Sequence, residues 1–339
     1  MRHVNIPVFI PHLGCPNQCV FCNQRSISEH QSFSEEGVRA EIEQVLSTLV
    51  PEDEAEIAFF GGSFTGIDRG LMCRLLDLAQ TYVKEGRVAS IRLSTRPDYI
   101  NAEILSILSR YSVKTIELGL QSMDDAVLLA CRRGHTAREA EVACRAVVAA
   151  GFSLVGQMMI GLPSATPESE MQTAQKICDL GASAVRIYPT VVFYDTPLCE
   201  MTQHGLYAPL SVKEAVERTA PVLQLFRARA IPCIRVGLCA TESLTSPEAV
   251  LAGPNHPALG EMILGECLYQ KLKEKVLQLG LAGQRIILEV PPRELSATVG
   301  QHRCNIEKLQ RETGATVHRV VACEGIAECR VRPHSQKTV

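Results

Sequence analysis

The segment HLGCPNQCVFC, residues 12–22, contains three cysteines in the spacing C-x3-C-x2-C. One loop can therefore present the thiolates of Cys15, Cys19 and Cys22 to a single metal centre. Structural zinc sites and electron-transfer clusters normally take four protein ligands, so a three-thiolate loop favours a cuboidal iron–sulfur cluster with one iron left open. A zinc knuckle completed by a fourth ligand, such as His12 or Cys199, is the alternative that this spacing alone leaves open.

Short apolar strands alternate with amphipathic helices around this loop. We predict six β–α units between residues 5 and 188, and such alternation is typical of parallel βαβ units. Six units are too few for a closed eight-fold barrel. The predicted fold class is therefore α/β, with a partial, open parallel (β/α)6 barrel.

Glycines and polar residues follow the ends of the predicted strands. In parallel α/β folds, ligands bind at the carboxyl ends of the strands, so residues from different strand ends can share one cleft. Five strand ends carry such segments, which predicts a single site. These segments are the cysteine loop, Gly61-Gly62, Ser94-Thr95-Arg96, Gln121-Ser122 and Gly161.

The pattern changes after residue 188. Residues 189–209 are expected to be a loop, and residues 285–321 have the order strand, helix, short loop, helix, strand. This order predicts a small C-terminal α/β domain. The predicted organisation is a barrel over residues 1–240, a helical extension and linker over residues 241–283, and the small domain over residues 284–339.

Charge is distributed unevenly between these parts. The 339-residue chain has a formal net charge of −3. Residues 285–339 carry nine Lys and Arg against six Asp and Glu, whereas residues 1–284 carry 25 against 31. The C-terminal segment is therefore basic relative to an acidic body, which favours a local contact with a polyanion over a uniformly basic coat.

The composition and the N-terminus bear on the cellular compartment. The 46% share of hydrophobic residues is that of a globular protein, and no apolar run reaches the ~18 residues of a membrane span. Residues 1–11 are too short and too polar for a secretory signal. We therefore expect a cytoplasmic protein without a membrane partner, whose 14 cysteines are reduced thiols or metal ligands.

The cysteine spacing and the glycine pair, in this order, resemble the radical S-adenosylmethionine (SAM) superfamily. Five further segments resemble the catalytic subunit of Elongator, here without an acetyltransferase domain. More distantly, the chain is similar to the oxygen-independent coproporphyrinogen oxidases. The Elongator-like segments are residues 96–98 (RPD), 121–122 (QS), 132–136 (RRGHT), 161–163 (GLP) and 187–190 (IYPT).

This resemblance implies a role for each predicted site residue. Cys15, Cys19 and Cys22 would bind a 4Fe-4S cluster and so be the catalytic and metal-binding residues. A second set would bind SAM, with the aromatic ring near the adenine and the glycine pair at the methionyl amino group. That set is Phe21, Gly61, Gly62, Ser94, Gln121, Arg133 and Gln157.

The same resemblance implies reductive cleavage of SAM to a 5′-deoxyadenosyl radical, which abstracts a hydrogen atom from a substrate. RNA, specifically tRNA, is the favoured substrate. A small molecule of porphyrinogen type is one alternative, and a non-catalytic RNA-binding or haem-carrying protein is another. A low-potential electron donor of flavodoxin or ferredoxin type is the expected partner.

The C-terminal segment resembles a KH domain, a module that clamps about four nucleotides with a GxxG loop. The corresponding loop is Gly300-Gln301-His302-Arg303, in which Arg303 replaces the last glycine. A helix N-terminus beside Arg303 would favour phosphate. We therefore predict that these four residues contact RNA; a small α/β lid with an ordinary loop is the alternative.

Overall fold

The computed structural model describes residues 2–10, 15, 19–22, 34–50, 52–237 and 248–334. The chain divides into two compact units: residues 1–211 with 225–255, and residues 212–224 with 256–339. The three-part organisation expected from the sequence stays a prediction. Within the described ranges, no helix is both long and apolar enough to cross a membrane.

A seven-stranded sheet forms the centre of the first unit, in the order β1-β2-β3-β4-β5-β6-β8. Every neighbouring pair in it is parallel. The α/β fold class with a partial parallel barrel is thus confirmed, and the short strand β8 extends the sheet beyond six strands. The strands are β1 His3–Ile10, β2 Glu54–Gly61, β3 Ser90–Thr95, β4 Val113–Gln121, β5 Ser153–Ile160, β6 Ala184–Pro189 and β8 Cys233–Val236.

Capping side chains determine where most helices of this unit begin. Ser34, Asp68, Asn101, Asp124, Thr136, Thr166 and Thr196 each accept a hydrogen bond from a backbone N–H of the first turn. The helices of this unit are α1 Glu35–Leu46, α2 Arg69–Lys84, α3 Ala102–Leu108, α4 Asp125–Ala130, α5 Ala137–Ala149, α6 Pro167–Asp179 and α7 Pro197–Gln203. A further helix, α8 Val212–Ala228, has residues 212–224 in the second unit and its last turn in the first.

The expectation of a loop over residues 189–209 is wrong in part. Val192–Phe193 forms β7, which pairs antiparallel with β9, Val250–Ala252. Helix α7 follows, with Thr196 as its cap and Pro197 in its first turn. Proline is favoured there because its missing N–H would have no helical partner anyway.

The two faces of the sheet differ in chemistry. An ideal Cβ at Gly156 would lie 2.8 Å from Ile177 Cγ2, so this position of β5 faces α6. Because side chains alternate along a strand, Gln157 points to the opposite face, which we call the inner face. Arg92, Glu117 and Arg186 share this face, since their side chains meet there.

Glu117 is the centre of a buried charge network on the inner face. Its carboxylate is fully buried and accepts from Arg92 Nη1 at 3.0 Å and from Arg186 Nε at 2.7 Å. Arg92 Nε also lies 2.8 Å from Glu56 Oε2. Charges of opposite sign therefore alternate from Glu56 on β2 through Arg92 and Glu117 to Arg186 on β6. The attraction between neighbouring charges offsets the desolvation of each side chain.

A three-stranded sheet of order β11-β10-β12 forms the second unit together with most of α8 and the helices α9, α10 and α11. β10 is parallel to β11 and antiparallel to β12. The order of elements after residue 284 agrees with the prediction. The elements are α9 Leu259–Gln278, β10 Arg285–Val290, α10 Leu295–Val299, α11 Cys304–Thr313, β11 Thr316–Ala322 and β12 Arg330–Pro333.

We predict that Glu117→Ala lowers the free energy of unfolding by about 3–5 kcal/mol, because the buried guanidinium of Arg186 loses its carboxylate and that of the half-buried Arg92 loses one of its two. Glu103→Ala is the matched control, since Glu103 pairs with Arg69 at 3.6 Å on the surface. That pair should contribute less than ~1 kcal/mol. Denaturant unfolding followed by circular dichroism measures both, and equal losses would contradict the role of the network.

Candidate functional site at the carboxyl edge of the sheet

The glycine pair makes a tight turn against the end of β1. Gly61 has a φ of +108°, and an ideal Cβ there would lie only 2.3 Å from the carbonyl oxygen of Ile10. Gly62 donates its N–H to the same oxygen at 3.1 Å. Only glycine suits position 61, and the turn leaves backbone open to close approach by a small ligand.

Two of the three predicted cysteine ligands are anchored to different strand ends. Cys15 Sγ lies 3.3 Å from Ser63 Oγ, directly after the glycine pair. Cys19 Sγ accepts a hydrogen bond from Arg133 Nη1 at 3.3 Å, and Arg96 Nη1 lies 3.8 Å away. Cys15 therefore contacts the segment after β2, and Cys19 contacts the segments after β3 and α4.

Gly119 provides room for two predicted SAM-binding side chains. An ideal Cβ at Gly119 would lie 2.9 Å from Arg133 Nη2 and 3.1 Å from Gln121 Nε2. Gly119 lies two residues beyond Glu117 on β4, so both side chains approach the inner face. The β4–β5 register shifts between Gly119 and Gln121, and Gln121 has a φ of +66°.

Unsatisfied polar atoms mark the same place. Gln121 Oε1 and Arg133 Nε are buried and have no hydrogen-bond partner among the described residues. Such atoms are costly unless something polar contacts them. The cradle over Gly119 therefore fits a polar, partly anionic ligand such as the amino-acid end of SAM.

Arg96 holds this part of the site in place. It is 2% exposed, forms an ion pair with Asp98 at 2.9 Å and donates to the backbone carbonyl of Arg133. Its position directly after β3 placed Arg96 among the strand-end segments of the predicted site, but the sequence assigned it no binding role.

Glu117 fixes the orientation of Gln157. Gln157 Nε2 donates to Glu117 Oε2 at 2.8 Å, so the amide oxygen remains as the acceptor that this side chain can offer. Ser94 is paired in register with Glu117 and belongs to the same face by alternation. Phe21 packs against the apolar cluster that includes Val127 and Cys131.

The cysteines do not converge on one point in this structure. No three His, Cys, Asp or Glu side chains in the described ranges are arranged to hold a metal ion. Of the two candidates for a fourth zinc ligand, His12 lies outside the described residues, and Cys199 is buried in the cluster with Val20 and Leu198. The ligand role of the three cysteines stays a prediction.

The predicted RNA-binding loop lies in the second unit, between α10 and α11. Gln301, His302 and Arg303 are exposed, and Gly300 has a φ of +73°. His302 and Arg303 also adopt left-handed conformations, which non-glycine residues rarely do. The contact of the Gly300–Arg303 loop with RNA stays a prediction.

The first unit is thus an α/β half-barrel enzyme scaffold with a cysteine loop at the carboxyl edge of its sheet. The Radical SAM superfamily profile matches residues 9–177, and the Radical SAM C-terminal domain profile matches residues 182–268. The chain belongs to the radical SAM superfamily and is a radical SAM enzyme. Membership implies SAM and a 4Fe-4S cluster as cofactors.

Curated relatives include enzymes of tRNA modification. The chain is 27% identical over 199 residues to a tRNA uridine(34) acetyltransferase of Methanocaldococcus jannaschii, covering 53% of this chain and 37% of that protein. It is 26% identical over 210 residues to Elongator complex protein 3 of Saccharomyces cerevisiae, covering 56% and 38%. The chain thus spans a little over a third of these relatives.

A relative of more similar extent is an uncharacterised protein of Methanocaldococcus jannaschii, 29% identical over 231 residues, covering 65% of this chain and 70% of that protein. Among solved structures, Elp3 of Methanocaldococcus infernus superposes with a TM-score of 0.63 at 21% identity. That match covers 81% of this chain and 63% of the other, and it supports the fold.

His135 should make the protein sensitive to acid. Burial and then the charge of Arg133 lower its pKa from 6.5 to about 4. Between these pH values the unfolded chain binds the proton and the folded chain does not, so stability falls as pH falls. The loss is on the order of 3 kcal/mol. Denaturant unfolding of cluster-free protein should show it, and an unchanged profile in His135→Asn would contradict it.

Proposed function

We propose that Cys15, Cys19 and Cys22 hold a 4Fe-4S cluster and that the cradle beside them binds SAM. When bound, these cofactors would supply a 5′-deoxyadenosyl radical that abstracts a hydrogen atom from the substrate. The supporting observation is that Gln121 and Arg133 meet over Gly119 with polar atoms that lack partners among the described residues, while Arg133 also donates to Cys19 Sγ.

The surrounding residues have distinct binding roles in this proposal. Arg133 offers its guanidinium to the carboxylate of SAM, and a planar fork suits that group better than an ammonium. Gly61 and Gly62 offer backbone to the amino group. Gln157 and Ser94 offer an amide oxygen and a hydroxyl to the ribose, while Phe21 packs near the adenine.

The proposed substrate is RNA, specifically tRNA. Two observations support it: a curated relative is named as a tRNA uridine(34) acetyltransferase and another as Elongator complex protein 3, and residues 285–339 carry more Lys and Arg than Asp and Glu. The Gly300–Arg303 loop would contact the backbone, and a low-potential flavodoxin or ferredoxin would reduce the cluster in the cytoplasm. A porphyrinogen-type substrate is the principal rival, and a non-catalytic RNA-binding or haem-carrying role is the other.

Replacing any one of Cys15, Cys19 or Cys22 by Ala should abolish the absorbance of the anaerobically reconstituted cluster and all cleavage of SAM. Cys304→Ala is the matched control, because Cys304 is an exposed thiol outside the site. It should keep both properties. A full cluster in a single-alanine variant, or zinc filling the site in anaerobic protein, would refute the assignment.

RNA modification is tested by comparing nucleosides in tRNA from cells with and without the gene. We expect one modified nucleoside to disappear in the deletion strain and to return with the parent gene, but not with the Cys19→Ala gene. Unchanged nucleosides together with an accumulating porphyrinogen would favour the small-molecule rival.

A further inference from the structure

The sheet of the second unit has one face covered by helices and one face exposed. Ile286, Leu288 and Val290 of β10 pack in the core with side chains of α9, α10 and α11. Val317 of β11 and Val331 of β12 join the same core. By alternation, the intervening residues of β10 and β12 point to the other face. In β11 a register shift after Val317 interrupts the alternation, so that Arg319 pairs with Ile287 on the other face while Val320 packs against the core.

That outer face carries arginines in adjacent rows. Ile287 of β10 is paired with Arg319 on one side and with Arg332 on the other. The next row on this face contains Glu289 and Arg330. Arg319, Arg330 and Arg332 are exposed while Ile287 is only 4% exposed, as expected if arginine stems cover it.

Imidazole rings occupy one end of the same face. Arg285 Nη2 lies 3.1 Å from His318 Nδ1, and the rings of His318 and His334 contact at a centroid distance of 4.1 Å. Desolvation and the neighbouring His334 and Arg285 hold the pKa of His318 below its usual value. His334 Nδ1 is enclosed and has no hydrogen-bond partner in the described part of the chain.

Most of this positive charge is not neutralised within the fold. Arg332 forms an ion pair with Glu289, the one acidic residue placed on the face by these strand pairings. Across the described ranges, no carboxylate lies within ion-pair distance of Arg285, Arg319 or Arg330. Three arginine charges thus remain for an external anion.

We propose that this outer face, defined by Arg285, Arg319, Arg330 and Arg332 with His318 and His334, binds a single-stranded segment of the RNA substrate. All four cations are arginines, whose planar guanidinium groups bind phosphate through paired hydrogen bonds. Imidazole rings and guanidinium planes are also surfaces on which unpaired bases stack. Successive rows on one face lie about 7 Å apart, comparable to the spacing of phosphates along a strand.

This inference rests on the proposed RNA substrate but assigns the contact to a surface other than the Gly300–Arg303 loop. An acidic electron donor is the other class of macromolecule that a basic face could bind. The combination of arginines with the exposed His318 ring favours RNA, because a carboxylate-rich protein surface would use the charges alone. Variants of the sheet and of the loop distinguish the two surfaces, and RNA affinity and cluster reduction distinguish the two partners.

The test uses the full-length protein and a fluorescein-labelled, unmodified tRNA transcript, with binding followed by anisotropy from about 50 to about 200 mM KCl. The sheet variant is Arg319→Glu with Arg330→Glu, and the loop variant is Gly300→Asp with Arg303→Glu. The matched control, Arg293→Glu with Arg311→Glu, makes the same charge change at two exposed arginines outside the sheet. Thermal melting and cluster absorbance establish that each variant is folded.

We expect the sheet variant to raise the Kd at least about tenfold relative to the control and to reduce the slope of log K against log salt by about two. An affinity equal to that of the control would overturn the inference while leaving the RNA substrate intact. Unchanged RNA affinity with slower cluster reduction by flavodoxin would assign the face to the donor instead. A parent protein without RNA affinity would overturn both the inference and the proposed substrate.

Discussion

The buried carboxylate of Glu117 is the constraint on which the inner face of the half-barrel depends. A carboxylate without solvent is tolerated only where cations and hydrogen-bond donors surround it, and Arg92, Arg186 and Gln157 provide them. These partners come from β3, β6 and β5, so one anion specifies how four strands are placed relative to one another. The same anion binds the amide nitrogen of Gln157 and leaves its amide oxygen as an acceptor for the proposed cofactor. Glu117 thereby links the polar core of the barrel to the proposed cofactor site.

Conformational irregularity is concentrated where the site requires it. Gly61 and Gln121 both have positive φ values, and the register shift between Gly119 and Gln121 leaves Leu120 out of the pairing with β5. Arg96 then holds the backbone of Arg133 while the Arg133 guanidinium reaches Cys19 and Gly119. The fold thereby brings Cys19 and Arg133, which are 114 positions apart in the sequence, into contact at the cradle.

Strand-to-helix alternation was sufficient to predict the half-barrel, because each βα unit carries its own periodicity and capping residues. The strand-end rule likewise brought Gly61, Gln121 and Arg133 to one edge of the sheet. The rule also placed Arg96 at this edge, although its hydrogen bond to the backbone of Arg133 was not predicted. It did not predict Glu117, because a charge inside an apolar strand shows its partners only once the strands are paired. Helix α7 was missed although Thr196-Pro197 is a recognisable helix start, with a capping side chain followed by a proline in the first turn.

An open half-barrel differs from a closed barrel in having two edge strands, here β1 and β8. Edge strands expose unpaired backbone groups that can recruit a strand from another molecule and start aggregation. β1 contains Pro7, which has no N–H to donate and interrupts the row of hydrogen-bonding groups along the strand. β8 has only four residues, which leaves little edge to extend. The openness of the half-barrel is therefore accompanied by two features that oppose self-association.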